Sequence, residues 1–343
     1  PRYEDQWYLD SCGLQKSWKK IRDDGKNPGG DSSVVVAVID TGVDYDHEDL
    51  KNNIWVNTGE IPGDGIDNDD NGYVDDYYGV DIVAKKGNGD DDHGHGTHVA
   101  GIIAAANNHF GVVGIAYNAK IMAIKAGQAN GKFLNTDVCK AINYARENGA
   151  DVINMSFGGS ASTIAVQEAL EEAYTHSVLV AAAGNDSAPN EPRYPGDPEV
   201  KPCYPAAYSF VLGVMSVDDF GVESDFTNYD VLGYNDVEYE LYAPGNAITS
   251  TIPNNKYATW NGTSMAAPIV SGMAAVLRSV YNDPDKYPTK FIYGQLASTS
   301  DRHAICLDPK HGKHNLPRIA NLYAALTKMP KPEVSMSNYT TFD

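Results

Sequence analysis

Short apolar runs alternate with segments of helical periodicity over most of the chain. Five of these runs are rich in Val, Ile and Ala and have the length of strands: VVVAVID (34–40), IMAIKA (121–126), DVINMSF (151–157), VLVAAAG (178–184) and FVLGVMSV (210–217). Runs that are apolar at every position are typical of strands buried on both faces of a sheet.

Helical patterns separate the runs. Between residues 135 and 148 the apolar side chains of Val138, Ile142 and Ala145 recur on one helical face, and residues 162–176 repeat this spacing. Strand, helix and strand in this order predict an α/β fold, in which a mainly parallel central sheet is flanked by helices.

Size and charge exclude several classes of function. The 343 residues, 42% of them hydrophobic, are enough for a large core, and the balance of 46 acidic and 26 basic residues gives a formal net charge of -20. Such a charge repels nucleic acid and anionic membranes, so we expect neither as a partner, whereas it suits basic polypeptides. No run approaches the 18 apolar residues of a membrane span, and we therefore expect no membrane insertion.

The ends of the chain and its cysteines add two expectations. The start at Pro1 is neither a signal peptide nor a usual translation start, so we interpret the sequence as a mature or trimmed segment. We expect one domain over residues 1–327 and a C-terminal tail or spacer over residues 328–343, where periodicity is lost. We also expect a monomer. Four cysteines are too few for a disulfide-built scaffold: Cys12, Cys139, Cys203 and Cys306.

Three reactive side chains stand at the ends of predicted elements. Asp40 ends the first strand in DTGVD (40–44), His95 begins HGTHVAG (95–101), and Ser264 lies in GTSMAAP (262–268). Such ends converge on one crevice in open parallel sheets. Taken singly, each residue is better explained as a loop or helix cap or a buried polar group. Taken together, they fit a serine activated by a histidine whose tautomer a carboxylate fixes.

The three motifs, in the order Asp, His, Ser, resemble those of the subtilase family of subtilisin-like serine peptidases, and the order is that of subtilisin itself. The resemblance runs from about Val34 to Val280. It implies a three-layer subtilisin-like fold and a serine endopeptidase, with Asp40 as the orienting acid, His95 as the general base and Ser264 as the nucleophile.

The same resemblance implies an oxyanion hole. AAAGN (181–185) places Asn185 as a side-chain donor, and the backbone N–H of Ser264 at its helix start would be the second. The alternative is an asparagine in a left-handed turn, which Gly184-Asn185 also fits.

Substrate-binding segments follow from the same comparison. One predicted edge strand carries Gly131, Lys132 and Phe133, and the opposite edge carries Ser156, Phe157 and Gly158. An extended polypeptide would pair between the two edges. The resemblance implies a primary pocket with walls at Ala182 and Phe157 and a floor near Cys203, just before Tyr204-Pro205, where the family's peptide bond is commonly cis.

An acidic segment, DNDDNGYVDD (67–76), predicts a Ca²⁺ site because hard oxygen ligands alternate before a turn glycine. The expected ligands are Asp67, Asp69, Asn71, the Tyr73 carbonyl, Asp75 and Asp76. Tyr78 stands where an EF-hand has its bidentate glutamate, so the loop is not an EF-hand, and a solvated acidic turn is the alternative. Many secreted subtilases carry a similar insert between the Asp and His motifs.

A second calcium site is implied by NNHFGVVG (107–114), which resembles the strong-site loop of the family. The implied ligands are the Asp49 carboxylate, the Asn108 side chain and the carbonyls of Ala106, Phe110 and Val112. Gln6 is offset from the family's N-terminal ligand. The resemblance also implies secretion and an N-terminal propeptide, absent from this segment, that assists folding and is cut off.

Two other functions remain as alternatives. The stretch GDDDHGHGTHVAG (89–101) resembles a zinc box with His93, His95 and His98 as ligands, but Thr97 stands where that box needs an aspartate. A catalytically silent, calcium-dependent binding module is the other alternative. We interpret His98 as a buried structural residue, and His93 with Asp90–Asp92 as a solvated loop that makes the cleft mouth negative. We expect the positive end of the helix dipole to keep the His95 ring neutral.

Overall fold

The predicted strands form the centre of a nine-stranded sheet in the computed structural model, which describes residues 2–189, 202–230, 239–300, 302–305 and 318–328. The strands are β1 (Val35–Asp40), β2 (Val80–Asp81), β3 (Lys86–Gly87), β4 (Lys120–Lys125), β5 (Val152–Met155), β6 (Val178–Ala182), β7 (Leu212–Val217), β8 (Leu241–Pro244), β9 (Ile248–Ile252), β10 (Lys256–Trp260) and β11 (Arg318–Ile319). The order in the sheet is β11-β8-β7-β6-β5-β1-β4-β2-β3, and β9 and β10 form a separate antiparallel hairpin.

Every pairing in the large sheet is parallel except that of β2 with β3. The five runs predicted as strands correspond to β1, β4, β5, β6 and β7. Each observed strand begins within two residues of the start of its run. β1 and β7 end where their runs end, whereas β4, β5 and β6 stop one to two residues earlier.

The helices cover both faces of the sheet. They are α1 (Tyr8–Ser11), α2 (Leu14–Asp23), α3 (His95–Ala104), α4 (Asn135–Glu147), α5 (Ile164–Tyr174), α6 (Thr263–Val280), α7 (Thr289–Ser298) and α8 (Leu322–Thr327). Successive side chains of a strand point to opposite faces, so Val36 and Val38 pack with α3 and α6, while Ala37 and Ile39 pack with α4 and α5. The three-layer α/β prediction is therefore confirmed.

Helix α6 is long and apolar enough to cross a membrane, and 83% of the qualifying stretch is buried inside the molecule. It contacts α3 and strands β5 to β8 and thus occupies the centre of one helical layer.

The sheet brings the carboxyl ends of its central strands to one edge. Ile39 is in register with Met155, and Met155 with Ala181, so the residues that follow β1, β5 and β6 lie side by side. The first turns of α3 and α6 meet this edge. Of the predicted tail, residues 329–343 lie outside the described part of the chain, as does Cys306; Cys12, Cys139 and Cys203 are free thiols.

Candidate active site and calcium loops

Asp40 and His95 are in direct contact. Asp40 ends β1 fully buried, and its Oδ1 lies 2.7 Å from Nδ1 of His95, the first residue of α3. The same oxygen accepts a 2.8 Å hydrogen bond from the Thr41 amide. Because a carboxylate only accepts, Nδ1 of His95 carries a proton, and Nε2 is the nitrogen left for proton transfer.

Opposing effects act on the His95 ring. Burial lowers the pKa of His95, but the charge of Asp40, its hydrogen bond and the charge of Asp91 outweigh burial, so the pKa lies above the usual value. This upward shift of the His95 pKa acts against the expected effect of the helix dipole, which would help to keep the ring neutral. The neighbouring carboxylates favour the imidazolium form.

Ser264 lies in the first turn of α6 and lines the same cleft as His95. Its Oγ donates to the Ser156 carbonyl over 2.9 Å, while the Ser156 hydroxyl donates to the Ser264 carbonyl over 3.0 Å. Asn154 holds the Ser156 hydroxyl from below through its side-chain amide. The nucleophile candidate is thus hydrogen-bonded to Ser156, the residue that follows β5.

Asn185 is oriented by the loop before α6. Its Oδ1 accepts from both the amide and the hydroxyl of Thr263, each over 2.9 Å. This arrangement leaves Nδ2 as a donor. A methyl group placed on Gly262 would lie 3.5 Å from Nδ2 of Asn185 and 3.7 Å from the Ser264 amide. The Asn185 side-chain amide and the Ser264 backbone N–H therefore lie on either side of one small space next to Gly262.

The predicted substrate edges differ from the structure. Ser156–Gly158 follow β5 directly but lie outside any strand, and Gly131, Lys132 and Phe133 do not form a strand either. Gly131 has φ 75°, and the Lys132 carbonyl accepts from the Gln128 amide within a tight turn closed by a Gly127–Phe133 bridge. The edge-strand prediction is wrong here because a turn glycine lies where pairing needs extended backbone.

The cleft has a volume of about 740 Å³ and is lined by His95, Ser264 and both predicted substrate segments. A stacked pair of rings, Phe133 and Phe157, with centroids 4.2 Å apart, joins the two sides. A second cavity of about 430 Å³ adjoins Ser264 and is lined by Phe157, Ala182, Asn185 and Cys203, among others.

Cys203 closes the second cavity next to the cis peptide bond Tyr204-Pro205. Burial raises the pKa of its thiol to about 12, so the sulfur is a neutral, apolar surface. A Cβ on Gly158 would lie 2.3 Å from this sulfur. The absence of a side chain at Gly158 therefore leaves the room that the Cys203 sulfur occupies.

The three histidines do not converge on one point. His98 is fully buried and stacks on Trp260, and its Nε2 contacts the Ala258 carbonyl at 3.1 Å. Burial lowers its pKa to about 3. His93 is exposed at the cleft, with its ring 6.4 Å from that of His95. The interpretation of His98 as structural is confirmed.

The aspartates before His93 are not all solvated. Asp90 and Asp92 are exposed, and Asp92 pairs with the buried Lys125 over 2.6 Å, whereas Asp91 is buried and accepts hydrogen bonds from the first turn of α3. The prediction of a uniformly solvated loop is wrong, because the pattern of charges does not reveal which carboxylate turns inward.

The acidic loop gathers three carboxylates. Oxygens of Glu60, Asp67 and Asp69 lie within 4.8 Å of one another. The hydrogen-bond donors to Glu60 are the neutral amides of Asn68 and Asp75. Like charges at this distance repel, so the donor set fits a hard divalent cation. Glu60 was missed by the sequence argument because it precedes the acidic motif by seven residues.

The other predicted ligands of this loop are engaged elsewhere. Asp75 accepts from the amides of Gly63 and Gly65, and Asp76 is fully buried, accepting from Asn57, Asn71 and the Tyr144 hydroxyl. The side-chain oxygen of Asn71 accepts a hydrogen bond from the Tyr73 amide. These residues shape the loop around the three carboxylates.

The second loop surrounds a cavity of about 200 Å³ lined by Ala106, Asn108, Phe110 and Val112. Asp49 is fully buried, and its carboxylate accepts from the neutral groups of Asn108, Val112 and Tyr257. Its charge is not neutralised by these donors, so the loop fits a cation. Gln6 reaches this cavity and pairs with Val113 through both atoms of its amide, although its sequence position is offset.

Comparisons with known proteins agree with this geometry. A family model described as "Subtilase family" matches residues 31–304. Subtilisin DY of Bacillus licheniformis is 36% identical over 259 residues, which cover 75% of this chain and 79% of that protein. The major intracellular serine protease of Bacillus subtilis is 37% identical over 279 residues, 80% of this chain and 77% of that protein.

Two further comparisons concern a longer protein and a solved structure. Subtilisin-like protease 1 of Plasmodium falciparum is 36% identical over 292 residues, and the chain spans 41% of that protein's length. The crystal structure of a cold adapted subtilisin-like serine proteinase superposes with a TM-score of 0.64 at 26% identity, covering 84% of this chain and 88% of that one. With the family model matching most of the chain, we conclude that the protein is a member of the subtilase family.

Proposed function

We propose that the protein is a serine endopeptidase that hydrolyses extended polypeptides through an acyl-enzyme on Ser264. The observation that carries the proposal is the 2.7 Å contact between Asp40 and His95 at the cleft that Ser264 lines. A catalytically silent binding module would not need a buried carboxylate in contact with a partly exposed imidazole at a cleft that also holds a serine. We propose further that residues 1–327 form one catalytic domain.

The chemistry follows from the contacts. The Ser264 hydroxyl leaves the Ser156 carbonyl and gives its proton to Nε2 of His95 as its oxygen attacks the substrate carbonyl. The amide of Asn185 and the N–H of Ser264 donate to the oxyanion that forms. The imidazolium, stabilised by Asp40, gives the proton to the leaving amine. Water then repeats the sequence on the acyl-enzyme and restores the free serine.

A serine-directed fluorophosphonate probe tests the proposal. We expect the wild type to be labelled, Ser264→Ala to lose labelling, and Ser160→Ala, a matched change of an exposed serine in the same cleft, to keep it. Labelling should survive a zinc-selective chelator. Folded wild type that stays unlabelled would contradict the proposal, and loss of labelling with zinc chelation would favour the zinc hydrolase.

We also propose that Ca²⁺ stabilises the fold at two loops. The cluster of Glu60, Asp67 and Asp69 and the buried Asp49 support this, since their hydrogen-bond donors are neutral and leave the negative charge to a cation. Calcium would lock surface segments and would take no part in bond breaking.

The remaining proposals concern partners and compartment. Substrates would be flexible polypeptide segments, and an N-terminal propeptide would precede this segment at synthesis. We propose secretion, because calcium-dependent surface loops suit calcium-rich surroundings, although one relative is named as an intracellular protease. Detection of the active protein in the culture medium of its source cells, as a monomer, is the expected result.

A further inference from the structure

Asp91 is a buried carboxylate between two exposed ones. Its side chain accepts five hydrogen bonds: Oδ1 from the Thr41 hydroxyl and the amides of His93 and Gly94, and Oδ2 from the amide and hydroxyl of Thr97. The distances are 2.6–3.0 Å. So many donors on one buried carboxylate fix its position and that of every group that donates to it.

Thr41 connects Asp91 to the residues of the proposed chemistry. Its amide donates to Asp40, its hydroxyl accepts from the Gly96 amide in the first turn of α3, and its carbonyl accepts from the Lys125 ammonium over 2.8 Å. Asp91 therefore hydrogen-bonds to the segments on both sides of the Asp40–His95 contact. It holds the loop after β1 through Thr41, and the start of α3 through Gly94 and Thr97.

We propose that Asp91 is a positioning residue of the peptidase, whose carboxylate locks the end of β1 against the first turn of α3 and so keeps Asp40 in contact with His95. This inference rests on the proposed function. Asp91 does not line the cleft, and it acts through the geometry of the other two residues and through its charge.

The charge of Asp91 has a measurable effect on His95 that a purely structural residue would not have. The groups that face His95 are Asp40 from β1, Asp91 from the preceding loop, His98 from α3 and the ring of His93. Asp91 raises the pKa of His95, after the larger effects of burial and Asp40. Removing its charge lowers that pKa, so the base stays neutral at lower pH.

The test compares Asp91→Asn with Asp90→Asn, which removes the same charge from an exposed neighbour. The Asp90 side chain accepts from the Asp91 amide, a bond that asparagine keeps, and is hydrogen-bonded to neither Thr41 nor α3. Activity is referred to sites titrated with the fluorophosphonate probe. For Asp91→Asn we expect kcat per site to fall up to about 10²-fold, as for a misplaced catalytic group, with KM changed less. The acid limb of the pH profile should move to lower pH. Asp90→Asn should keep both values.

Either of two results would overturn the proposal. One is wild-type kcat per site and an unmoved acid limb in Asp91→Asn. The other is a loss of titratable sites with unchanged kcat and unchanged acid limb, which is the result expected of a residue needed only for folding.

A second pair of variants covers the case in which Asp91→Asn does not fold. Thr41→Val removes the hydroxyl that links Asp91 to Gly96, and Thr41→Ser keeps it. We expect kcat per site to fall in the valine variant and to recover in the serine variant; equal values in both would reject the link. Ser264→Ala separates the two levels, because turnover that survives it contradicts the proposed function itself.

Discussion

At the scale of single residues, the environment of His95 determines how the protein can work. Two effects act on the pKa of the ring in opposite directions: burial disfavours the charged form, and the nearby carboxylates favour it. The carboxylates prevail. A histidine of this kind is protonated over a wider pH range than an isolated one, yet in the proposed mechanism its imidazolium is better stabilised once it has taken the proton from Ser264.

This balance predicts the pH dependence of activity. His95 must be neutral to act as a base, and its pKa is raised, so kcat/KM should rise with pH through a midpoint above the ordinary value of about 6.5. In Asp40→Asn the charge is gone and the midpoint should fall, with kcat reduced by up to about 10⁴-fold. Initial rates on a peptide substrate from pH 5 to 9 measure both. A wild-type midpoint below 6.5 would contradict the assignment.

Asn185 supports a second prediction at this scale. Its Oδ1 is held by Thr263, so Nδ2 is fixed before any substrate arrives. Asn185→Ala should lower kcat by about 10² to 10³ and leave KM nearly unchanged, because the donor acts on the charge that develops in the transition state. Steady-state kinetics beside Ser160→Ala provide the comparison. A change confined to KM would instead make Asn185 a substrate-binding residue.

At the scale of elements, the sequence predicts what local pattern controls. The apolar runs identify β1, β4, β5, β6 and β7, since strands buried on both faces need apolar side chains at every position. Asp40, His95, Asn185 and Ser264 stand in motifs at element ends, and parallel strands bring those ends together. For these four residues, the motif and its place at the end of an element were enough to predict that they belong to one site.

Contacts between distant segments are what the sequence could not predict. Glu60 joins Asp67 and Asp69 through the path of the loop, Gln6 reaches Val113 across 107 residues, and Asp91 turns inward between two exposed aspartates. The prediction of an edge strand over Gly131–Phe133 was wrong because backbone hydrogen bonds between Gln128 and both Gly131 and Lys132 close a turn there. In each case the deciding partner lies outside the motif.

The acidic loop supports a prediction about one element. In a Ser264→Ala background, which avoids self-digestion, Glu60→Gln should reduce the rise in Tm that added Ca²⁺ produces, because one of three clustered carboxylates loses its charge. Asp70→Asn is the matched control, since Asp70 is exposed, lies outside the cluster and has φ 57°, which asparagine adopts readily. Calorimetry with and without Ca²⁺ measures the increment. An equal loss in both variants would point to general charge repulsion.

At the scale of the whole molecule, the net charge of -20 and the buried Asp49 are the features through which the proposed calcium ions would stabilise the fold. One proposed cation site lies in the acidic loop before β2, and the other combines the Asp49 carboxylate with the loop after α3. A cation at each proposed site would tie its loop to the core, and the folded state would then gain RT ln(1 + [Ca²⁺]/Kd), about 2.7 kcal/mol for each site at 100-fold excess over Kd.

This linkage predicts how the protein fails when calcium is removed. A calcium chelator should lower Tm in both wild type and Ser264→Ala, while only the wild type should then digest itself, because loosened loops of one molecule become extended substrates for another. Turnover of a small ester measured within seconds of chelation should be unchanged, since no bound cation enters the chemistry. Immediate loss of ester turnover, restored by Zn²⁺ rather than Ca²⁺, is the outcome that a zinc hydrolase requires. Time courses of ester hydrolysis and of intact mass after chelation therefore separate a cation that holds the fold from one that breaks the bond.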